Sequence, residues 1–213
     1  MSLPIVCLAH GSRHPRADDA VAELCQALGG HAQPAYLDFN PRTLTNVAHL
    51  LAAQGHAEAV VVPLLFTDAF HMRHDVPEAI AEAEAATGVT LHLARGLGTG
   101  GDMVEIAAAH TREHLRREHT QLAVFNVGKP VPDFARALAD ALGLDRGRSF
   151  SFGQEDQLLD FADPTTTCVV PLFVCPGILW DGLCHRMPSG LARAPHLGAA
   201  IAPAVHARAE SAR

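Results

Sequence analysis

Ala59-Val60-Val61-Val62-Pro63-Leu64-Leu65-Phe66-Thr67-Asp68-Ala69-Phe70-His71-Met72-Arg73-His74-Asp75-Val76-Pro77 is the stretch from which the fold can be read. Val60, Val61 and Val62 form a β-branched apolar run, as in a strand buried on both faces. Pro63 has no N–H and ends regular pairing at its own position. A mostly apolar loop follows, carrying Asp68, His71, His74 and Asp75. Pro77 stands where the first turn of a helix would begin, a place that tolerates proline. A buried strand thus delivers a polar cluster to its carboxyl end, the edge at which open α/β sheets bind ligands. Thr167–Asp181, TCVVPLFVCPGILWD, reads as a second such stretch.

Working outward, Leu3–Ala9 is a compact apolar strand broken by His10-Gly11-Ser12-Arg13. Ala17–Leu28 has the apolar spacing of a helix on a sheet. Ala32–Phe39 is the next strand, and Thr43 caps a helix over Leu44–Gln54. Glu78–Ala86 is helical, Val89–Ala94 is a strand, and Asp102 caps a helix over Met103–Arg117. The pattern then restarts. Leu122–Val127 is a strand, Pro132–Leu142 a helix stopped at Gly143, Arg148–Phe152 a weaker strand and Gln154–Phe161 a short helix. Thr166–Val170 repeats the Val-Val-Pro-Leu ending, Ile178–Met187 is helical, Leu191–Pro195 is an edge strand and Ala199–Arg213 a terminal helix. Alternating short apolar runs and longer helical patterns predict βαβ units and mostly parallel sheets flanked by helices. The ordered matches between the halves predict a duplication, with an N-terminal α/β lobe at 1–118 and a C-terminal, degenerate lobe at 119–213.

The totals restrict what such a protein does. Its 213 residues are 48% hydrophobic and 18% charged, which suits a buried core and not a disordered chain. Lys and Arg number 16 against 23 Asp and Glu, so no broad basic excess exists to neutralise a nucleic-acid backbone. An anionic ligand therefore needs local donors or a metal. The 5 cysteines include no CxxC spacing, and four lie in apolar surroundings, as reduced buried thiols do. The start, MSLPIVCLAHGSR, lacks a basic region followed by a long apolar run, and no apolar run approaches the ~20 residues of a membrane helix. The expected setting is the cytoplasm.

His10 and His71 both follow strands of the same half, so a parallel sheet brings them to one edge. Imidazole is a ligand for ferrous iron, cobalt, nickel or zinc, and it also accepts protons near neutral pH. The plainer reading makes His10 a strand-end residue bonded to backbone and His71 an ordinary loop residue. Asp75 either caps the helix that follows or orients His71. His74 and Asp68 are secondary candidates. His185, near the second loop, reads as a solvent-exposed helix position. Ser12 lacks the GxSxG elbow of a hydrolase nucleophile. Gly11–Arg13 suits carboxylate binding through backbone N–H groups and the guanidinium, or else is a plain strand-to-helix turn.

His10-Gly11-Ser12-Arg13, then Val61-Val62-Pro63-Leu64 leading to His71-x-x-x-Asp75-Val76-Pro77, resembles the CbiX/SirB-like sirohydrochlorin chelatases, class II chelatases related in fold to the protoporphyrin ferrochelatases. Val170-Pro171-Leu172-Phe173-Val174 through Pro176-Gly177 is similar to their second half. The resemblance implies a chelatase-like α/β fold of two similar lobes with a cleft between them. It implies a lyase that inserts a divalent metal, ferrous iron or cobalt, with nickel a third choice, into sirohydrochlorin for siroheme or cobalamin biosynthesis. His10 and His71 match the family's paired histidines, as catalytic residues and metal ligands, and Asp75 matches the aspartate after the second. Ser12, Arg13 and Arg73 are then the expected substrate-binding residues, with Arg186 a further candidate, for a tetrapyrrole with many carboxylates; the plainer reading leaves Arg73 and Arg186 in solvent. The ion is a substrate, and no tightly bound cofactor is expected. Neither nucleic acid nor membrane is an expected partner. A homo-oligomer is compatible with the family, whose short form pairs two identical chains.

Departures accompany the likeness. Ala69 and Phe70 stand where many relatives have Gly-Arg. Val127-Gly128-Lys129 replaces His10-Gly11-Ser12 in the second half, and Leu179 falls where His71 would align. One active centre per chain follows, built mainly from the first half. The alternatives are a non-catalytic tetrapyrrole- or metal-binding protein and a Ser12-dependent hydrolase.

Overall fold

In the computed structural model residues 3–67 and 71–212 are described; Asp68 lies outside them, as does the side chain of His71. In chain order the first elements are β1 (Ile5–Ala9), α1 (Ala17–Ala27), β2 (Ala32–Tyr36), α2 (Leu44–Ala53), β3 (Glu58–Pro63), a π-helical turn (His71–Asp75), α3 (Val76–Thr87) and β4 (Thr90–Leu93). There follow α4 (Gly101–Arg112), β5 (Gln121–Asn126), α5 (Pro132–Leu142), β6 (Arg146–Ser151), α6 (Glu155–Phe161), β7 (Thr167–Pro171), α7 (Ile178–Arg186), β8 (Ala192–Arg193) and α8 (Ala202–Ser211).

The valine run forms β3 as expected, buried from Ala59 to Pro63. It is parallel to β1 on one side and β4 on the other, in a sheet of order β2-β1-β3-β4. Leu8 sits beside Pro63, and the Leu64 N–H donates to the Leu8 carbonyl at 2.8 Å, one residue beyond the proline that lacks a donor. Val6, Leu8 and Val61 pack with Leu44, Val47 and Leu51 of α2 and with Val76 and Ala83 of α3. Cys7 and Cys25 of α1 share a thiol hydrogen bond, and that bond together with burial pushes the Cys7 thiol well up. Thr43 caps α2 as read, its hydroxyl accepting from the Asn46 N–H at 3.3 Å.

The second sheet has order β6-β5-β7-β8, again all parallel, and thus repeats the strand permutation of the first. Its core is aromatic where the first is aliphatic: Phe125 and Trp180 lie 6.3 Å apart, packed with Phe150, Leu158 and Leu183. Cys168 lies in this interior, and burial raises its thiol to about 11, as for an inert structural cysteine.

The chain gathers into two compact units, Met1–Gly98 with Ile201–Arg213, and Thr99–Ala200. The division expected at 118/119 is displaced at both ends. Helix α4 belongs to the second unit, packed on α5, and α8 belongs to the first, packed on α1 and β3. Helical periodicity says that a face is buried, not which sheet buries it. The return of α8 has a specific anchor. Arg208 is 1% exposed, and its guanidinium donates to the carbonyls of Leu97 at 2.7 Å and Gly96 at 3.3 Å. Arg208→Ala removes charge-assisted donors from both carbonyls and opens a hole, at an expected cost of ~3 kcal/mol. Urea denaturation followed by circular dichroism checks this; a midpoint equal to wild type would mean that α8 is held by its apolar face alone.

Helix α4 differs from its expected span. It starts at Gly101, so Asp102 lies inside the first turn, where its carboxylate accepts the Met103 N–H at 2.9 Å. It stops at Arg112 rather than Arg117, because the His114 N–H bonds back to Thr111 and His119 Nδ1 takes the Arg116 N–H at 2.9 Å, closing a separate turn. Among the described residues no helix is long and apolar enough to cross a membrane.

Candidate active site

Three loops at the carboxyl edge of the first sheet build the site. The loops after β1 and β2 are joined through their backbones. The Leu37 N–H donates to the Ala9 carbonyl at 3.0 Å and the Asp38 N–H to the His10 carbonyl at 2.8 Å. Gly11 makes that closeness possible. It has φ +97, and a Cβ there would lie 1.9 Å from the Asp38 carbonyl oxygen. The glycine of the HGSR motif therefore holds His10 and Asp38 side by side.

His10 is half-buried, with Nδ1 3.3 Å from the Gly11 carbonyl oxygen. A carbonyl only accepts, so in the tautomer that makes this contact a hydrogen bond Nδ1 carries the proton and Nε2 the lone pair. That nitrogen is then suited to receive a proton or an ion.

The third loop brings the π-helical turn His71–Asp75, which runs without a break into α3. Continuity corrects one of the two roles read for Asp75. Its backbone is helical, with φ −69 and ψ −38, and its side chain makes no cap bond. Instead Asp75 lines a cavity of about 290 Å³ together with His10, Leu37, Asp38, Glu78, Ala79 and Glu82. Asp75, Glu78 and Glu82 recur at helical spacing and so share one face of α3. One imidazole among four carboxylates favours a cation over an anion at this spot. Among the described residues no group of three or more His, Cys, Asp or Glu side chains is gathered tightly enough to cage an ion. His71 begins the turn that leads into this wall; its side chain lies outside the described residues, so its convergence with His10 stays an expectation.

The Ser12 hydroxyl accepts the His14 N–H at 3.1 Å, a turn-stabilising bond. A hydrolase nucleophile needs a base at that oxygen, whereas here the oxygen accepts from a backbone N–H. Arg13 is exposed, its guanidinium 4.8 Å from the centre of the Phe39 ring. Arg73 and His74 are exposed on the π-helical turn. In the second unit His185 is exposed and bonded through Nδ1 to the Asp181 carbonyl at 2.6 Å, as expected of a helix-surface residue, and Arg186 pairs with Asp156. Val127 follows β5 as His10 follows β1, and Leu179 is exposed on α7.

Four residues of this region escaped the sequence reading. Glu78 and Glu82 were legible in principle, from their spacing after Asp75. Asp38 and Phe39 were hidden by extending the second strand to Phe39; β2 ends at Tyr36, and Phe39 has φ +61.

Two units of one strand order, the first with a histidine just past its first strand, make up an α/β fold of the chelatase type. The whole chain matches the sirohydrochlorin chelatase SirB from Bacillus subtilis subspecies spizizenii, solved in complex with cobalt, at a TM-score of 0.76 and 20% identity, covering 95% of that chain. The CbiX family model matches residues 4–114, more than half of the sequence, and the chain belongs to that family. Among named relatives, the sirohydrochlorin cobaltochelatase of Sulfurisphaera tokodaii is 27% identical over 53% of this chain and 93% of its own. The sirohydrochlorin ferrochelatase of Bacillus subtilis is 25% identical over 64% of this chain and 55% of its own.

Proposed function

We propose that this protein is a sirohydrochlorin metal chelatase, a lyase that exchanges the two inner N–H protons of the macrocycle for a divalent ion. The observation that carries the reading is His10 on the wall of an acidic cavity at the carboxyl edge of the first sheet, in a chain of the CbiX family. The balance is simple: one M²⁺ enters the ring and two protons leave. His10 Nε2 holds the incoming ion or takes a proton from a ring nitrogen, and His71 does the other task. Asp38, Asp75, Glu78 and Glu82 attract the cation without caging it, so that it stays transferable, and they give released protons a route to solvent. Ser12 keeps the first turn closed, while Arg13 and Arg73 meet peripheral carboxylates of the substrate. The second unit is read as a degenerate repeat without its own histidine pair, giving one centre per chain. The reading needs neither nucleic acid nor membrane as a partner and suits a cytoplasmic enzyme with reduced cysteines.

Cobalt and iron are both supported by the names of relatives, and imidazole alone discriminates poorly between them. The test is anaerobic incubation of the purified chain with sirohydrochlorin and Co²⁺, Fe²⁺ or Ni²⁺, followed by the absorbance change on metallation. Catalysed insertion of at least one ion above the protein-free rate is the expected result. Tight macrocycle binding with no acceleration for any ion would reduce the protein to a carrier.

A further inference from the structure

Phe39 combines three properties that packing does not account for. It is the one non-glycine residue with positive φ among the described residues, at +61. That conformation is unfavourable for a bulky side chain, and such strain collects at functional sites. It is 48% exposed, so burial of the ring does not repay the strain. Its ring also touches both ends of the site's first motif, with the His10 ring 6.1 Å away and tilted by 39°, and the Arg13 guanidinium 4.8 Å from its centre.

The loop holds this conformation firmly. The Asp38 N–H is bonded to His10, the Phe39 N–H donates to the Asp38 carboxylate at 2.7 Å, and Asn40 Nδ2 donates to Asp18 at 2.6 Å. Asn40 Oδ1 accepts the Arg42 N–H at 2.8 Å on the far side. Phe39 is therefore fixed in place from both flanks, with half of its surface open.

Resting on the chelatase reading, we infer that Phe39 is a substrate-binding residue: its ring is the apolar surface against which one pyrrole-derived ring of the tetrapyrrole lies. The order Arg13, Phe39, His10 then matches the substrate from rim to centre. The guanidinium meets a peripheral carboxylate, the phenyl ring meets conjugated carbon, and the imidazole reaches toward the inner nitrogens. An aromatic platform suits a flat conjugated ligand because contact there is largely apolar and costs little side-chain entropy.

The strain supplies a clean variant. Glycine adopts φ +61 freely, so Phe39→Gly removes the ring and relieves the backbone together. Metal-free sirohydrochlorin is titrated into wild type, Phe39→Gly and Phe39→Trp, with its own fluorescence as the signal, and thermal midpoints and insertion kinetics are measured in parallel. The expected result is a roughly tenfold weaker Kd and a similarly raised KM for Phe39→Gly, a midpoint equal to or above wild type, and near-wild-type binding for Phe39→Trp. Equal binding by Phe39→Gly and wild type overturns the inference, as does a lowered midpoint, which would make the ring structural. Wild type that binds the macrocycle but inserts no metal counts against the chelatase reading alone, and wild type that does not bind it overturns both.

Discussion

His10→Ala is expected to slow metal insertion into sirohydrochlorin by roughly 10²–10⁴-fold, the usual worth of a positioned proton acceptor. The fold should survive. His10 lies beyond the end of β1, is only half-buried, and is bonded through Nδ1 to the carbonyl of its own neighbour. It is not part of the core cluster that Val6, Leu8 and Val61 form with α2 and α3. Its loss therefore removes a lone pair from the cavity wall and little packing, and the thermal midpoint should stay within a few degrees of wild type. The carboxylates that remain around the cavity still attract the ion, so the variant should bind metal yet fail to deliver it at speed. Millimolar imidazole added to His10→Ala should restore part of the rate, because a small base that fits the vacated space does the same chemistry; rescue of this kind separates a chemical role from a structural one. His71→Ala is expected to show the same loss, and the double variant no more than the larger single one if the two imidazoles act on one ion. Near-wild-type turnover in His10→Ala and His71→Ala would remove both from the mechanism.

Much of this was legible in the chain, for identifiable reasons. Glu58–Pro63 and Pro132–Leu142 announced themselves through a β-branched run and a proline–glycine frame, signals that act within a few residues. His10 could be placed at the carboxyl edge of the sheet because a strand end followed by Gly-Ser is visible locally, and parallel topology says where strand ends go. What failed was everything set by distant contact. The final helix joins the first unit because Arg208 reaches Leu97, and its own periodicity carries no trace of that partner. Asp75 looked like a cap because it precedes Val76-Pro77; it is instead the last residue of a π-helical turn that continues into the helix, and its side chain makes no cap bond. Phe39 reads as a β-former by residue type, and only the loop bonded to His10 turns it into the left-handed region. Local grammar thus located the elements and the first histidine, and long-range contact decided which polar groups joined it.

The second large effect is expected at Gly11. A methyl group there faces two separate penalties. The first is conformational, since φ +97 lies where side chains are strained. The second is steric, and here the obstacle is the Asp38 carbonyl at 1.9 Å, which is backbone and cannot rotate aside. Relief requires the loops after β1 and β2 to part, breaking the Asp38 N–H bond to His10 at 2.8 Å and straining the Leu37 N–H bond to Ala9. Gly11→Ala should therefore cost ~3 kcal/mol or more, a fall of roughly 10 °C in the thermal midpoint. Gly55→Ala is the internal control: that residue has φ +85 but nothing within 4 Å of an added Cβ, so it carries the conformational penalty without the collision. Its expected cost is ~1 kcal/mol. The difference between the two variants measures the contact that holds His10 against Asp38. Activity should follow the same division, with Gly55→Ala close to wild type at temperatures where both are folded and Gly11→Ala severely impaired, because its loops no longer present the imidazole and the carboxylate to one cavity. Equal losses of stability at the two glycines would show that the loops part at no cost and that the HGSR glycine serves the turn alone.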